Sequence, residues 1–131
     1  MDRRLMCVFA HPDDESLGMG GTLAKYAAEG AEICLVSATR GERGWGGRQE
    51  AYPGEQELGR MREAELRCAA QTLGVKEVRF LGYMDGEVDK AEPQEIIGRI
   101  AAEMRRFKPH VVVTFGPDGA YGHPDHIAVS Q

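Results

Sequence analysis

"RRLMCVFAHPDDES", Arg3 to Ser16, joins two kinds of sequence within a few residues. The first part is a short, unbroken apolar run. Without polar alternation it predicts a strand buried on both faces, as in a parallel sheet covered by helices. The second part changes character at once. Pro12 pushes His11 into an extended conformation, and Asp13, Asp14 and Glu15 crowd the first turn of a helix that runs through "SLGMGGTLAKYAAEG" to a closing Gly30. Acids at a helix N-terminus complement the dipole and satisfy free N–H groups. Capping accounts for one of these acids, two at most, and it does not account for a histidine at the strand tip.

The rest of the chain repeats this alternation. "AEICLVSA" (31–38) is a second strand candidate, and "TRGERGWGGRQEAYPGEQ" (39–56) is a long glycine-rich segment that suits a functional or mobile loop. "ELGRMREAELRCAAQTLG" (57–74) carries Leu58, Met61, Leu66, Ala69 and Leu73 at helical spacing. "EVRFLG" (77–82) is the third strand candidate. Pro93 opens a helix with an apolar stripe of Ile96, Ile97, Ile100, Met104 and Phe107. "HVVVTF" (110–115) is the fourth strand candidate. The alternation predicts an α/β fold, a Rossmann-like parallel sheet flanked by helices. With no repeat and no linker, residues 1–131 are expected to form a single domain. Ligands of such sheets bind beyond the carboxyl ends of the strands.

Composition narrows the function. The 131 residues are 42% hydrophobic and carry a formal charge of −5 with no run of Lys or Arg, which argues against a nucleic-acid partner and for a small-molecule ligand. The first apolar run is too short for a signal peptide or a membrane span, so a cytoplasmic protein without membrane association is expected. Cys7, Cys34 and Cys68 lack metal-ligand spacing and read as buried free thiols in a reducing compartment. Self-association into a homo-oligomer is left open.

The tripeptide His-Pro-Asp returns in "GHPDH", Gly122 to His126, just after the fourth strand, so three of the four histidines lie in these two stretches. Both stretches fall at the carboxyl ends of strands, where residues distant in sequence become neighbours. Two histidines and a carboxylate with positions left open make a catalytic metal site. A dinucleotide-binding module shares the fold class but fails at the first turn, because Asp13, Asp14 and Glu15 would repel a pyrophosphate. Gly18, Gly20 and Gly21 are expected to let the helix pack closely on the sheet or to admit a ligand.

At these residues the sequence resembles the LmbE-like, or PIG-L-like, metal-dependent N-deacetylases, which remove acetyl from N-acetylglucosamine-type compounds. "AHPDDE" and "GPDGAYGHPDH" match the family's two signatures, and "TRGE", "REAEL" and "LGYMDG" are also similar to it. The resemblance implies that His11, Asp14 and His126 bind zinc, or iron in some members. It implies that Asp13 is the general base and His123 the electrophilic or acid partner. By the same likeness, Arg62 and Asp85 hold sugar hydroxyls and Tyr121 reaches the intermediate. Members of the family are longer than this chain, so the C-terminal part of the usual fold, which completes the sheet and often walls the substrate pocket, is expected to be absent from it.

The chemistry fits these roles. A bound divalent ion polarises an amide carbonyl and activates water, while adjacent acids in a helical turn diverge, so one can ligate and the other face the water. A cationic His123 would stabilise the developing oxyanion and protonate the leaving amine. Asp125 reads equally as a residue orienting a histidine or as a turn residue after Pro124. Trp45 reads as a packing plug ahead of a platform that stacks on a sugar ring, His110 as structural, and Arg40 and Glu42 as either loop solvation or support from the tip of the second strand. Two alternatives to the deacetylase stand: an amidase cleaving another small-molecule amide such as a thiol conjugate, and a non-catalytic metal- or nucleotide-binding module.

Overall fold

The apolar runs become the sheet. In the computed structural model, which describes residues 3–131, the strands are β1 (Arg4–Phe9), β2 (Glu32–Ser37), β3 (Glu77–Phe80) and β4 (Val111–Val113). All pairings are parallel, in the order β3-β2-β1-β4. Register places Cys7 beside Leu35 of β2 and Val113 of β4. Helices α1 (Asp14–Ala28), α2 (Glu55–Leu73) and α3 (Pro93–Phe107) connect the strands, and a short segment α4 (Gly119–Gly122) leads into α5 (Pro124–Ser130).

Because successive side chains of a strand point to opposite faces, the sheet builds two cores. Cys7, Phe9, Ile33 and Leu35 pack with Leu23 of α1 and Leu66 and Ala70 of α2. Met6, Val8, Cys34 and Val36 pack with Ile96 and Phe107 of α3 and Val129 of α5. A fully buried side chain of this size contributes about 1.5–3 kcal/mol relative to exposure. Each face of the sheet therefore supports its own helices.

This topology fixes where a ligand can enter. The chain proceeds from β1 outward to β2 and β3, then crosses back past β1 to form β4. The direction of winding therefore reverses between β1 and β4, and the crevice at such a reversal is the usual ligand site of an open α/β sheet. His11 follows β1, and the second His-Pro-Asp follows β4.

Several expectations are corrected in detail. Cys68 is exposed, not buried, because it lies on the outward face of α2 between inward-facing Leu66 and Ala70. Met61 and Ile97 are likewise exposed, and Gly59 and Ile96 take the inward positions of their helices. Gly18 and Gly21 face open space, and Gly20 has only Leu73 at 4.0 Å, so close packing on the sheet does not explain these glycines. The fourth strand is shorter than its apolar run, and Val111 and Val112 are exposed on what is the edge strand of the sheet. Gly30 ends α1 as expected, with φ +90° and its N–H donating to Ala27 O.

Candidate active site

Three donor atoms meet at the reversal point. His126 Nε2 lies 3.3 Å from His11 Nδ1 and 3.4 Å from Asp14 Oδ2, and His11 Nδ1 lies 3.8 Å from Asp14 Oδ2. A tetrahedral ion with bonds of 2.0–2.1 Å requires its ligands about 3.3–3.4 Å apart. Two sides of the triangle match that spacing and the third is about 0.4 Å longer, so His11, Asp14 and His126 would hold a divalent ion such as zinc after a small side-chain adjustment.

Each donor is held by its surroundings. Asp14 Oδ2 accepts the backbone N–H groups of Ala10 (3.2 Å) and His11 (2.9 Å). His126 Nδ1 donates to Gly119 O at 3.1 Å, which leaves Nε2 as the free lone pair. Its ring also stacks on Phe115, with centroids 4.0 Å apart. His11 Nε2 meets two carboxylates, Asp125 Oδ2 at 2.8 Å and Asp85 Oδ1 at 3.1 Å. Outer partners of this kind fix the tautomer and orientation of metal-binding histidines.

Asp125 resolves the ambiguity left by sequence. It is fully buried, and besides His11 it accepts the N–H groups of Gly86 at 2.7 Å and Val88 at 3.0 Å. One carboxylate thus ties the loop after β3 to the histidine after β1. Burial opposes its charge, yet the His11 bond and the two backbone donors hold its pKa below the usual range. Asp85 is likewise shifted down, by its bond to His11 against the cost of burial, and its other oxygen accepts Arg43 N–H at 3.1 Å.

These carboxylates set the proton state of His11, and burial sets that of His126. Burial alone would lower the pKa of His11, but the bonds to Asp125 and Asp85 outweigh it and raise it to about 9. Burial pushes His126 down instead, helped by the neighbouring histidines and opposed by Asp14 and Gly119. In the metal-free chain the His11 Nδ1–H therefore points at the lone pair of His126. A proton occupies the place that suits an ion.

Asp13 sits beside this triangle in an unusual conformation. It is the residue preceding α1, with φ 93° and ψ −24°, and its carboxylate makes no capping bond to the helix. It pairs instead with Arg62, whose guanidinium also bonds Pro12 O at 3.2 Å and Glu65 Oε2 at 2.9 Å. The divergence of Asp13 from Asp14 thus arises from a left-handed kink before the helix, and not from the helical pitch anticipated above. Arg62 stands against Asp13 rather than on the solvated helix face.

His123 precedes α5 and caps it, its Nδ1 accepting Asp125 N–H at 3.1 Å. That bond takes the Nδ1 lone pair and leaves Nε2 to serve the site. Its ring centroid is 4.7 Å from that of His11 and 4.9 Å from that of His126. Tyr121 is exposed, with its ring edge-on to His126 at 5.1 Å. Arg40 does not reach the site, since it pairs with Glu63 at 2.9 Å, and Glu42 accepts Arg40 N–H. Trp45 stays in its loop, its indole N–H donating to Arg48 O. His110 accepts Arg4 N–H at the far end of the sheet.

Sequence reasoning missed the positioning bonds of Asp85, Gly86 and Val88 to the His11–Asp125 pair. Nothing local announces them, because they arise only when the loop after β3 folds across the crevice.

Residues 6–131 match the family profile described as PIG-L, GlcNAc-PI de-N-acetylase. Among curated relatives, the 1D-myo-inositol 2-acetamido-2-deoxy-alpha-D-glucopyranoside deacetylase of Streptomyces avermitilis is 42% identical, over 96% of this chain and 50% of that protein. The chain thus spans about half the length of the curated relatives it matches. Among solved structures, N,N'-diacetylchitobiose deacetylase from Pyrococcus horikoshii superposes with a TM-score of 0.85 at 31% identity, covering 98% of this chain and 46% of that one. GalB, the 4-carboxy-2-hydroxymuconate hydratase of Pseudomonas putida, superposes with a TM-score of 0.81 at 26% identity, covering 98% of this chain and 54% of that one.

Proposed function

The chain belongs to the PIG-L family, and from that premise we propose that the protein is a zinc-dependent hydrolase that removes acetyl from an N-acetylglucosamine-type amino sugar or its conjugate. The observation that carries the reading is the triangle of His11, Asp14 and His126 donor atoms, with sides of 3.3–3.8 Å, beside the carboxylate of Asp13, which caps no helix and pairs with Arg62. The similarity to an inositol-linked acetamido-sugar deacetylase supports the substrate class. Fold alone does not choose the reaction, since a hydratase shares it. Identity of 42% to a deacetylase favours amide hydrolysis.

When bound, a divalent ion, zinc or iron, supplies Lewis-acid chemistry: it withdraws charge from an amide carbonyl and makes water a stronger nucleophile. The protein does the rest. Asp13, free of capping duty and directed by Arg62, accepts the proton of the attacking water. His123 presents its Nε2–H to the oxygen that becomes negative, and the proton that Asp13 took from the water passes on to the departing amine. Asp125 and Asp85 hold the His11 ring in place and leave Nδ1 facing inward. Arg62, beside Asp13, is left to a sugar hydroxyl and exposed Tyr121, beside His126, to the intermediate, whereas both oxygens of Asp85 are taken by His11 and Arg43 rather than free for a sugar.

No helix among the described residues is long and apolar enough to cross a membrane. A cytoplasmic location belongs to the same reading, supported by three free cysteines. The full-length protein, loaded with zinc, is to be assayed on N-acetylglucosaminides, amide conjugates of thiols and an unsaturated hydroxy acid. Acetate from the first group alone supports the proposal; turnover of either other group replaces it.

A further inference from the structure

Glu15 is the one acid of the His-Pro-Asp-Asp-Glu run without a role so far, and it is the most buried of the three, at 1% exposed. Its Oε2 accepts the backbone N–H of Asp13 at 3.1 Å, and its Oε1 accepts the Ser16 hydroxyl at 3.0 Å. An acid placed only to complement the helix dipole would do so from the surface without being desolvated. What Glu15 holds is a backbone that its own residue type disfavours. Asp13 has φ 93°, and left-handed conformations are unfavourable for residues other than glycine.

The second observation concerns the cap. An aspartate preceding a helix normally spends its carboxylate on the N–H groups of the first turn, yet Asp13 makes no such bond. The reach of Glu15 back to Asp13 N–H supplies half of a capping box from inside the helix. The carboxylate of Asp13, which makes no cap, pairs with Arg62 at the edge of the crevice.

We propose that Glu15 is a positioning residue: its buried side-chain oxygen locks the left-handed turn at Asp13 and so aims the base. This rests on the reading of Asp13 as the base, but the geometric part can be tested without it.

Glu15→Gln keeps an oxygen for the Asp13 N–H, and Glu15→Met fills the same volume without one. In the full-length protein, both are expected to bind zinc as tightly as wild type by calorimetry. Glu15→Gln should keep kcat within about twofold, whereas Glu15→Met should lose at least about tenfold in kcat at unchanged KM. Crystal structures should show Asp13 left-handed in Glu15→Gln and relaxed to negative φ in Glu15→Met. A left-handed Asp13 in Glu15→Met overturns the proposal. A wild type that releases no acetate sinks the deacetylase reading instead, and the comparison of φ still decides this one. If Glu15→Met does not fold, it is to be repeated in the Asp13→Gly background, where a left-handed turn has no steric cost. Recovery of folding there supports the lock, and continued failure overturns it.

Discussion

His11 and Asp125 stand 114 positions apart and share a hydrogen bond of 2.8 Å, closed over the end of the sheet from opposite sides of its reversal point. Because Asp125 also takes the N–H groups of Gly86 and Val88, its removal should be felt twice. Asp125→Ala is expected to weaken zinc binding about 10–100-fold, the usual loss for an outer-shell partner. It should also destabilise the fold by about 1–3 kcal/mol, since the buried Val88 N–H loses its acceptor while Gly86 N–H can turn to water. Calorimetry and urea unfolding read the two effects separately. Unchanged zinc affinity would mean that His11 is oriented by Asp85 alone.

Zinc uptake should depend on pH through His11. In the metal-free chain its pKa is raised to about 9, so below that pH the ion must displace a proton. Affinity is therefore expected to climb about tenfold per pH unit toward about pH 9 and then level off, with about one proton released per ion near neutrality. Calorimetry in buffers of different ionisation enthalpy measures that proton. The metal-free fold follows the opposite course. A folded pKa of about 9 against an ordinary 6.5 gives stability that is fully present below about pH 6.5 and lost as the pH rises through about 9.

The two neighbouring aspartates should separate cleanly. Asp13→Asn is expected to retain zinc and lose about 10²–10⁴-fold in kcat, the range of a general base. Asp14→Asn should lose zinc as well, because Asp14 Oδ2 is one corner of the donor triangle. Metal analysis beside steady-state kinetics distinguishes them, and reversed behaviour would exchange their roles.

The two histidines of "GHPDH" should also part company. His126→Ala removes a buried donor and is expected to abolish zinc retention. His123→Ala should keep the ion while kcat falls about 10²–10³-fold, the scale of a lost oxyanion donor. Loss of zinc in both would make His123 a ligand, an arrangement that the second cluster of His11, His123 and Asp125 would permit.

Much of this was legible in the sequence, for identifiable reasons. Strands buried on both faces announce themselves as unbroken apolar runs, so β1 and β2 are read almost to the residue, whereas the exposed edge strand β4 is overestimated. That the two His-Pro-Asp stretches converge is legible because the first follows β1 directly and the second lies in the segment after β4, while the choice of His11, Asp14 and His126 as the donor set comes from the family resemblance. What stays hidden is tertiary. No local pattern tells that β4 pairs with β1, that Asp125 is buried rather than a surface turn, or that Asp85 folds back onto His11. Helical spacing also leaves a choice between adjacent apolar residues, and Ile97 and Cys68 fall on the wrong side of it. The left-handed kink at Asp13 is invisible for a related reason: its holder, Glu15, looks like one more acid at a helix start.

The most direct test of the account is a zinc titration of the metal-free, full-length protein with acetate release from an N-acetylglucosaminide as the signal. The donor triangle of His11, Asp14 and His126 predicts that the rate rises linearly and reaches its plateau at about one ion per chain, with His126→Ala inactive throughout. A rate independent of zinc, or full occupancy of the triangle with no acetate formed, would contradict it.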